Sequence, residues 1–479
     1  MKSSGQQVVP REVLGPRIDE SLNLHFLDGL ARFLGVKGNT LLIKGYAGAG
    51  KTTLAVQLLQ GLSGEEGGLY ISSRVSQDKV SRYLPIVGDQ MISDKKIRFL
   101  DIRMGTSSSI IDELTRAIFP KKGAAKPSVI VLDTWDALAK EMDDKERLKA
   151  EKMVIALADS SRTRMIFVSE EPGRTTMDYL VDGIVELVRR EQDDRIFREV
   201  EVQKLRGTMV DQHKYLYTLY GGVFRHLPPY VPPTHAMAKK FTPIPDTGNA
   251  FSFGSRSLDT VFGGITKGGT FSFEYDERVP YTAIRMVEVT SVINALNVGH
   301  SALMVTLPGA ALENVASLIK PFVSPEAFRN RLAIASMTNK GGLQPPLYGL
   351  GYDNVKDVAV GISDLIERMR TNAKREGVYV IESVDQLEST FASNANQVLE
   401  VLAQRGANIQ AKPIDALVLL IERSDSSLKT RVLSMSNRYA RMLVKDRAVV
   451  VLGEKPATEA FVMEHSETNS LIPKLTKIV

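Results

Sequence analysis

One glycine-rich segment constrains this chain more than any other feature of its sequence. The stretch LLIKGYAGAGKTTLAVQLL contains a glycine, four further residues and then Gly-Lys-Thr, which is the phosphate-loop pattern. The apolar residues before the glycines predict a buried strand, and the amphipathic residues after them predict a helix. A strand, a glycine-rich turn and a helix N-terminus together direct main-chain amides at one phosphate group. The segment therefore predicts an α/β domain that binds a nucleotide.

The residues of this loop have distinct predicted roles. The Lys51 ammonium, which we expect to be exposed at the loop, would reach the β- and γ-phosphates of ATP, and the Thr52 hydroxyl would bind Mg²⁺. The alternative is a glycine-rich turn that matches the pattern by chance, and the predicted strand and helix on either side argue against it. The predicted ATP-binding residues are Gly45, Tyr46, Ala47, Gly48, Ala49, Gly50, Lys51, Thr52 and Thr53.

A second motif, KPSVIVLDTWDAL, places the carboxylate of Asp133 at the end of an apolar run. Ligands of open α/β sheets bind at the carboxyl ends of the strands, so Asp133 and the phosphate loop are expected at the same edge. We predict that Asp133 and Thr52 hold Mg²⁺. An aspartate that only caps the next turn is the alternative. We predict that Trp135, the one tryptophan of the chain, lies at this edge and reports nucleotide binding; a position in the core is the alternative.

A proline-rich segment divides the chain into two halves. Proline lacks an amide donor and fixes φ, so residues 226–249 cannot form a helix or an inner strand. We predict a flexible tail over residues 1–20, an ATP-binding domain over 21–228, a linker over 229–250 and a second domain over 251–479. Each half is long enough to form a sizeable domain.

Short apolar runs alternate with helix-length segments in both halves. Continuous apolar runs are typical of strands buried on both faces of a parallel sheet. The runs are residues 41–43, 69–71, 97–100, 129–132 and 165–168 in the first half, and 269–273, 301–306, 379–381 and 416–421 in the second. We predict two tandem three-layer αβα domains that arose by duplication. Residues 183–220 alternate more openly and predict antiparallel strands added to the first sheet.

The first half resembles the KaiC and RadA branch of the RecA-like P-loop ATPases. The resemblance covers most of residues 30–228, from the phosphate loop to the stretch that includes Lys204-Leu205-Arg206-Gly207-Thr208, which is similar to the K-x-R-G-[ST] element of KaiC-like proteins. In that family the basic residues of this element reach the γ-phosphate of a neighbouring subunit. The resemblance therefore implies a homo-oligomeric ring in which Lys204 and Arg206 act on the neighbour. A basic edge strand that discourages aggregation is the alternative.

The first half differs from that family at the position of the residue that activates water for ATP hydrolysis. KaiC-like ATPases carry a glutamate after the second strand, but here that strand reads LYISSRVSQD, with Ser72 and Ser73. Serine cannot accept a proton as a carboxylate does, so we expect slow hydrolysis, with Glu170 as a candidate but poor substitute. A strand of this kind, followed by a second domain without a phosphate loop, most resembles the branch of the archaeal gas vesicle protein D regulator.

The second half also resembles a KaiC domain, but without its phosphate loop. After GSRSLDTVFGGITKGGTFSFE the chain reads YDERVPYTAIR, which contains no glycine. Asp276 and Glu277 would repel phosphate, and Pro280 lacks an amide donor. Glu382 takes the place of Asp133, with no loop opposite it. We therefore predict one nucleotide per chain and a second domain that serves as a scaffold or partner platform.

Composition excludes several other classes of protein. The chain has no cysteine, which excludes disulfides and cysteine zinc sites, and its six histidines are scattered without the spacing of metal ligands. The net charge of +5 is too small to require nucleic acid or an anionic membrane as a partner. The start of the chain has no signal-peptide pattern, and no apolar run approaches the ~20 residues of a membrane span. We therefore expect a cytoplasmic protein.

These observations favour an ATP·Mg-dependent regulator that hydrolyses slowly and acts as a switch or scaffold for an unidentified protein partner. One alternative is a RadA-like recombination ATPase that acts on DNA, and another is a KaiC-like autokinase or protein kinase. Basic residues at 431–447 offer a DNA contact, since Arg438, Arg441 and Lys445 would share one face of a helix. We favour the alternative, in which the same residues form an ordinary solvated surface.

Overall fold

The structure is a computed structural model that describes residues 28–479 with short gaps. The gaps are residues 65, 84–95, 104–106, 120–125, 141, 172, 234–240, 307–310, 339–342, 352, 373–376, 413, 423–425 and 467–469. The predicted tail, residues 1–20, lies outside the described residues. The chain divides into two compact units, the first ending at Leu227 and including Ile478 and Val479, and the second comprising Pro228–Lys477.

The first unit alternates strands with helices. Its strands are β1 (Thr40–Gly45), β2 (Gly68–Ser72), β3 (Ile97–Asp101), β4 (Val129–Asp133), β5 (Arg164–Ser169), β6 (Gly183–Gln192), β7 (Arg195–Leu205), β8 (Lys214–Thr218) and β9 (Arg225–Leu227). Its helices are α1 (Asp28–Gly35), α2 (Lys51–Ser63), α3 (Gln77–Tyr83), α4 (Ser107–Ile118), α5 (Trp135–Ala139), α6 (Asp144–Ser161) and α7 (Thr176–Leu180). All five apolar runs predicted in the first half are strands.

In the described part of the first unit, nine strands form one sheet in the order β3-β2-β4-β5-β1-β6-β7-β8-β9. The strands from β3 to β6 are parallel, and β7, β8 and β9 extend the sheet in antiparallel order. Successive residues of β1 pack on opposite sides, since Leu41 and Ile43 belong to one apolar cluster and Leu42 to another. Both faces are covered, which explains the continuous apolar run. The predicted α/β fold and its antiparallel extension are confirmed.

The second unit is built from the same kinds of element. Its strands are β10 (Ala250–Phe251), β11 (Ile265–Thr266), β12 (Thr270–Tyr275), β13 (Ser301–Val305), β14 (Leu332–Ser336), β15 (Leu347–Gly349), β16 (Val378–Ser383), β17 (Ala416–Glu422), β18 (Arg438–Lys445), β19 (Ala448–Lys455), β20 (Ala457–His465) and β21 (Pro473–Lys477). Its α-helices are α8 (Arg256–Phe262), α9 (Tyr281–Val298), α10 (Leu312–Ile319), α11 (Pro325–Asn330), α12 (Val355–Asn372), α13 (Val384–Thr390), α14 (Ala395–Ala411) and α15 (Lys429–Met435).

The large sheet of the second unit repeats the topology of the first. Its order is β15-β14-β13-β16-β17-β12-β18-β19-β20-β21, parallel from β15 to β18 and antiparallel beyond. With β12 as the counterpart of β1, the two orders agree strand for strand, and β15 is an addition at the edge. The prediction of two tandem RecA-like domains is therefore confirmed. No helix in the described ranges has the length and apolar character that crossing a bilayer requires.

The basic run near the end of the second unit is not a helix, and that prediction is wrong. Helix α15 ends at Met435, and Arg438–Lys445 forms β18, which pairs with β12. Successive side chains of a strand point to opposite faces, so Arg438 and Arg441 do not share one face. The helical basic surface that supported a DNA contact is therefore absent from this segment.

Candidate functional site

The phosphate loop connects β1 to α2, and its conformation requires glycine. Gly48 and Gly50 have φ values of 77° and 91°, in the region that other residues avoid. A Cβ atom at Gly50 would lie 2.7 Å from the Leu219 side chain, whereas a Cβ atom at Gly48 would meet no atom within 4 Å. The loop is thus packed on one side and open on the other. An open loop of main-chain amides before a helix N-terminus fits a phosphate group.

Lys51, the first residue of α2, points back along this loop. Its Nζ donates to the carbonyl oxygen of Tyr46 at 2.8 Å and lies 3.5 Å from Oε1 of Glu170. The side chain is 5% exposed, so the expectation of an exposed ammonium is wrong. Burial lowers the pKa of Lys51, although the negative charges of Glu170, Asp133 and Asp136 act in the opposite direction. The ammonium is already surrounded by oxygen atoms where a phosphate would bind.

Asp133 ends β4 and lies next to Thr52. Its Oδ2 accepts hydrogen bonds from the Thr52 hydroxyl at 2.7 Å and from the Tyr70 hydroxyl at 2.6 Å. Burial raises the pKa of Asp133, and these two hydrogen bonds partly offset that effect. The structure therefore brings together the two residues predicted to hold Mg²⁺. Among the described residues no group of three or more His, Asp or Glu side chains forms a metal cluster. One carboxylate and one hydroxyl fit Mg²⁺ that is bound mainly by phosphate and water oxygens.

Comparison with known proteins agrees with this geometry. Residues 30–203 match the sequence model of the family described as GvpD gas vesicle protein, P-loop domain. These residues are thus similar to a GvpD P-loop domain, and we call the domain that contains them the GvpD-type domain. Two relatives from Halobacterium salinarum extend the similarity through both units. Protein GvpD2 is 24% identical over 490 residues, which cover 94% of this chain and 96% of that protein. Protein GvpD1 is 24% identical over 508 residues, which cover 93% and 94% of the two chains.

Ser72 and Ser73 of the GvpD-type domain have a structural role that their sequence position did not suggest. The Ser73 amide donates to the Asp133 carbonyl at 3.0 Å, and the Ser73 hydroxyl lies 2.9 Å from both the amide and the carbonyl of Thr134. The Ser72 hydroxyl accepts from the Val75 amide at 3.1 Å. These bonds fix the turn after β2 to the end of β4. The turn carries no carboxylate of its own.

Glu170 follows β5 and faces the loop. Its carboxylate lies between two cations, because Arg74 donates to Oε2 and Lys51 lies beside Oε1. Burial tends to raise the pKa of Glu170, but the hydrogen bond from Arg74 and the charge of Lys51 outweigh it and hold the pKa below its usual value. Sequence analysis named Glu170 and missed Arg74. The only signal for Arg74 was its position directly after the two serines.

Two residues of the antiparallel extension also contact the phosphate loop, and sequence analysis missed both. Arg198 on β7 donates from Nη1 to the Gly48 carbonyl at 3.1 Å, and the Tyr217 hydroxyl on β8 donates to the Ala49 carbonyl at 2.6 Å. Both contacts orient the loop from strands far away in sequence. No motif marks either residue.

Lys204 and Arg206 lie elsewhere in the same domain. The Lys204 ammonium donates to the Asp178 carbonyl at 3.0 Å, and Arg206 donates to the Tyr179 carbonyl at 3.1 Å and to Asp182 at 3.3 Å. Both cations thus bind the last turn of α7, and these bonds are not to the phosphate loop of their own chain. Their action on a neighbouring subunit stays a prediction.

Trp135 begins α5, two residues after Asp133, and belongs to the core. Its side chain is 2% exposed and makes an edge contact with Phe167, with ring centroids 5.8 Å apart. The indole Nε1 donates to Glu151 at 3.2 Å. The prediction that Trp135 lies at the nucleotide edge is therefore wrong, and the alternative position in the core is the one observed.

Proposed function

We propose that the GvpD-type domain binds ATP with Mg²⁺ and hydrolyses it slowly, and that the chain is a nucleotide-dependent switch or scaffold for a protein partner in a process connected with gas vesicles. The observation that carries this proposal is the position of Lys51, Thr52 and Asp133 around one glycine loop. The link to gas vesicles comes from the description of the matching family and rests on that likeness alone.

Each residue has a defined task in this proposal. The main-chain amides of the loop and the Lys51 ammonium bind phosphate oxygens, while Thr52 and Asp133 hold the cation. Mg²⁺, when bound, supplies positive charge to the phosphates. The hydrogen bond from Thr52 to Asp133 orders both groups before the cation arrives, and the Tyr70 hydroxyl donates to the same carboxylate oxygen, Oδ2.

Slow hydrolysis follows from the groups at the end of β2. The hydroxyls of Ser72 and Ser73 are engaged with the backbone and are poor proton acceptors. Glu170 is the nearest candidate for activating water, but its carboxylate is held by Arg74 and Lys51. A carboxylate with a lowered pKa and two cationic partners is a weak general base.

A homo-oligomer is part of the proposal. Lys204 would exchange a carbonyl oxygen, and Arg206 a carbonyl oxygen and the Asp182 carboxylate, for the more highly charged γ-phosphate of a neighbouring chain. Mixing the Lys51→Ala and Arg206→Ala variants tests this arrangement. If Arg206 acts on the neighbour, some sites in the mixture combine the intact loop of an Arg206→Ala chain with Arg206 from an adjacent Lys51→Ala chain. These sites should recover part of the ATP turnover.

Calorimetry of the full chain with ATP, in the presence and absence of Mg²⁺, tests the central claim. We expect one ATP per chain, tighter binding with Mg²⁺, and decay of a stoichiometric ATP load over many minutes. Single-stranded DNA should neither bind nor accelerate hydrolysis. No ATP binding would contradict the proposal, and DNA-stimulated hydrolysis would favour a recombination ATPase.

A further inference from the structure

The pair formed by Arg74 and Glu170 has no assigned role in binding ATP. The side chain of Arg74 is about half exposed, with 51% of its surface accessible. Glu170 is 33% exposed, whereas Lys51 beside it is buried. The pair therefore lies at the open edge of the phosphate loop, where an incoming ligand meets it directly.

The Glu170 carboxylate occupies the place of an anion. It lies 3.5 Å from the Lys51 ammonium on one side and accepts from the Arg74 guanidinium on the other. The lysine of a phosphate loop contacts the β- and γ-phosphates of the bound nucleotide. The Glu170 carboxylate, which lies beside Lys51, is consequently near the position of the terminal phosphate. Arg74 is near that position too, because it binds the other oxygen of the same carboxylate.

The chain holds the backbone of Arg74 in place and leaves its side chain accessible. Ser73 on one side is hydrogen-bonded to Asp133 and Thr134, and Val75 on the other is hydrogen-bonded to Ser72. With its backbone fixed, Arg74 can move its guanidinium from the Glu170 carboxylate to a phosphate by rotating its side chain. Phosphate oxygens carry more charge than a carboxylate and accept several guanidinium hydrogen bonds.

We propose that Arg74 leaves Glu170 and binds the terminal phosphate of a nucleoside triphosphate in the same chain, so that this site prefers triphosphates to diphosphates. The inference rests on the proposed function and adds a specificity-determining residue to it. A bound diphosphate has no group at this position, so the pair of Arg74 with Glu170 persists. In this proposal Arg74 binds the terminal phosphate when a triphosphate is bound and stays paired with Glu170 when a diphosphate is bound.

Calorimetry with Mg²⁺ and either the β,γ-imido analogue of ATP or ADP tests this inference on the full chain. Arg74→Ala should weaken binding of the triphosphate analogue by about tenfold or more and leave ADP affinity unchanged. Arg74→Lys should recover part of the loss, because the charge remains without the planar fork. The matched control is Arg103→Ala, since Arg103 is also an exposed arginine paired with a carboxylate, Asp101, at a strand end. This control should bind both nucleotides as the wild type does.

A double-mutant cycle separates phosphate binding from a role in positioning Glu170. If Arg74 acts only through Glu170, Arg74→Ala has no further effect in the Glu170→Gln background. If Arg74 binds phosphate, its loss weakens triphosphate binding in both backgrounds. Equal affinities of the wild type and Arg74→Ala, or equal losses for both nucleotides, would overturn the inference while the proposed function stands. Failure of the wild type to bind either nucleotide would instead overturn the proposed function, and circular dichroism of each variant excludes unfolding as the cause.

Discussion

The two units have the same strand order, yet only the first has a phosphate loop. In both units five residues connect the central strand to the following helix, residues 46–50 after β1 and residues 276–280 after β12. In the second unit Tyr275 stands at the position of Gly45 and donates its hydroxyl to Asp385. Tyr281 stands at the position of Lys51, where it contacts Arg285. Loop length and topology are therefore insufficient for a phosphate site without glycine and lysine.

The carboxylates at the ends of β4 and β16 show the same contrast. Asp133 is held by two hydroxyls, whereas Glu382 is paired with Arg405, with the Nε and carboxylate oxygen 2.8 Å apart. Counted from the central strand, Ser383 and not Glu382 stands at the position of Asp133, so Glu382 does not take the place of Asp133 as its sequence suggests. Burial raises the pKa of both carboxylates. The second unit supplies its own cation, Arg405, whereas in the proposed function Asp133 receives a cation from solution.

The largest predicted effect is on ATP binding, and it concerns Lys51 and Tyr281, the residues that begin α2 and α9. Lys51→Ala should reduce ATP binding below detection, because the variant loses the ammonium beside the phosphates. Tyr281→Ala should leave the affinity and the ratio of one ATP per chain unchanged. Calorimetry of both folded variants measures this difference. Unchanged ATP binding in Lys51→Ala would place the site elsewhere, and two ATP per wild-type chain would show that the second unit also binds nucleotide.

The next largest effect is on the stability of the second unit, and it concerns Arg405, the cation paired with Glu382. Arg405→Ala leaves the buried charge of Glu382 without its partner and should lower the free energy of unfolding by about 3–5 kcal/mol. Replacing both residues, as Arg405→Met with Glu382→Leu, should restore most of that loss. Chemical denaturation followed by circular dichroism measures both variants. A single substitution without effect would mean that the pair does not stabilise this unit.

A smaller effect on stability, an increase rather than a loss, is expected from replacing Asp133. Because burial raises its pKa, its contribution to stability is complete below about pH 4 and is lost as the pH rises through the higher folded value. Asp133→Asn should therefore unfold at a higher temperature than the wild type at pH 7 without nucleotide, and the difference should shrink towards pH 4. The same variant should lose the Mg²⁺ dependence of ATP binding. Lower stability at pH 7 would show that the hydroxyl hydrogen bonds outweigh burial of the charge.

The smallest expected effect is in the fluorescence of Trp135. This is the one tryptophan of the chain and it is buried against Phe167, so adding ATP·Mg²⁺ should hardly change its emission. Its emission should instead follow unfolding of the first unit during denaturation, since the second unit contains no tryptophan. A large change on adding ATP, absent in Lys51→Ala, would mean that α5 moves with the nucleotide.

Sequence alone determined the features that depend on neighbouring residues. The phosphate loop needs glycines at particular turns, and strands buried on both faces need continuous apolar runs, so both are visible locally. The absence of a phosphate loop from the second half was visible for the same reason. The basic strand β18 was mistaken for a helix because pairing with β12 overrides its local pattern.

Only the tertiary structure decided which distant side chains meet at the loop. The strand order places β2, β4, β5 and β1 side by side, which brings Arg74 to Glu170, 96 residues away, and Tyr70 to Asp133, 63 residues away. The Arg198 contact with the Gly48 carbonyl spans 150 residues. No local spacing encodes such contacts, because each depends on how the whole sheet is assembled. The sequence therefore determined the presence of the loop, and the fold decided which charges face it.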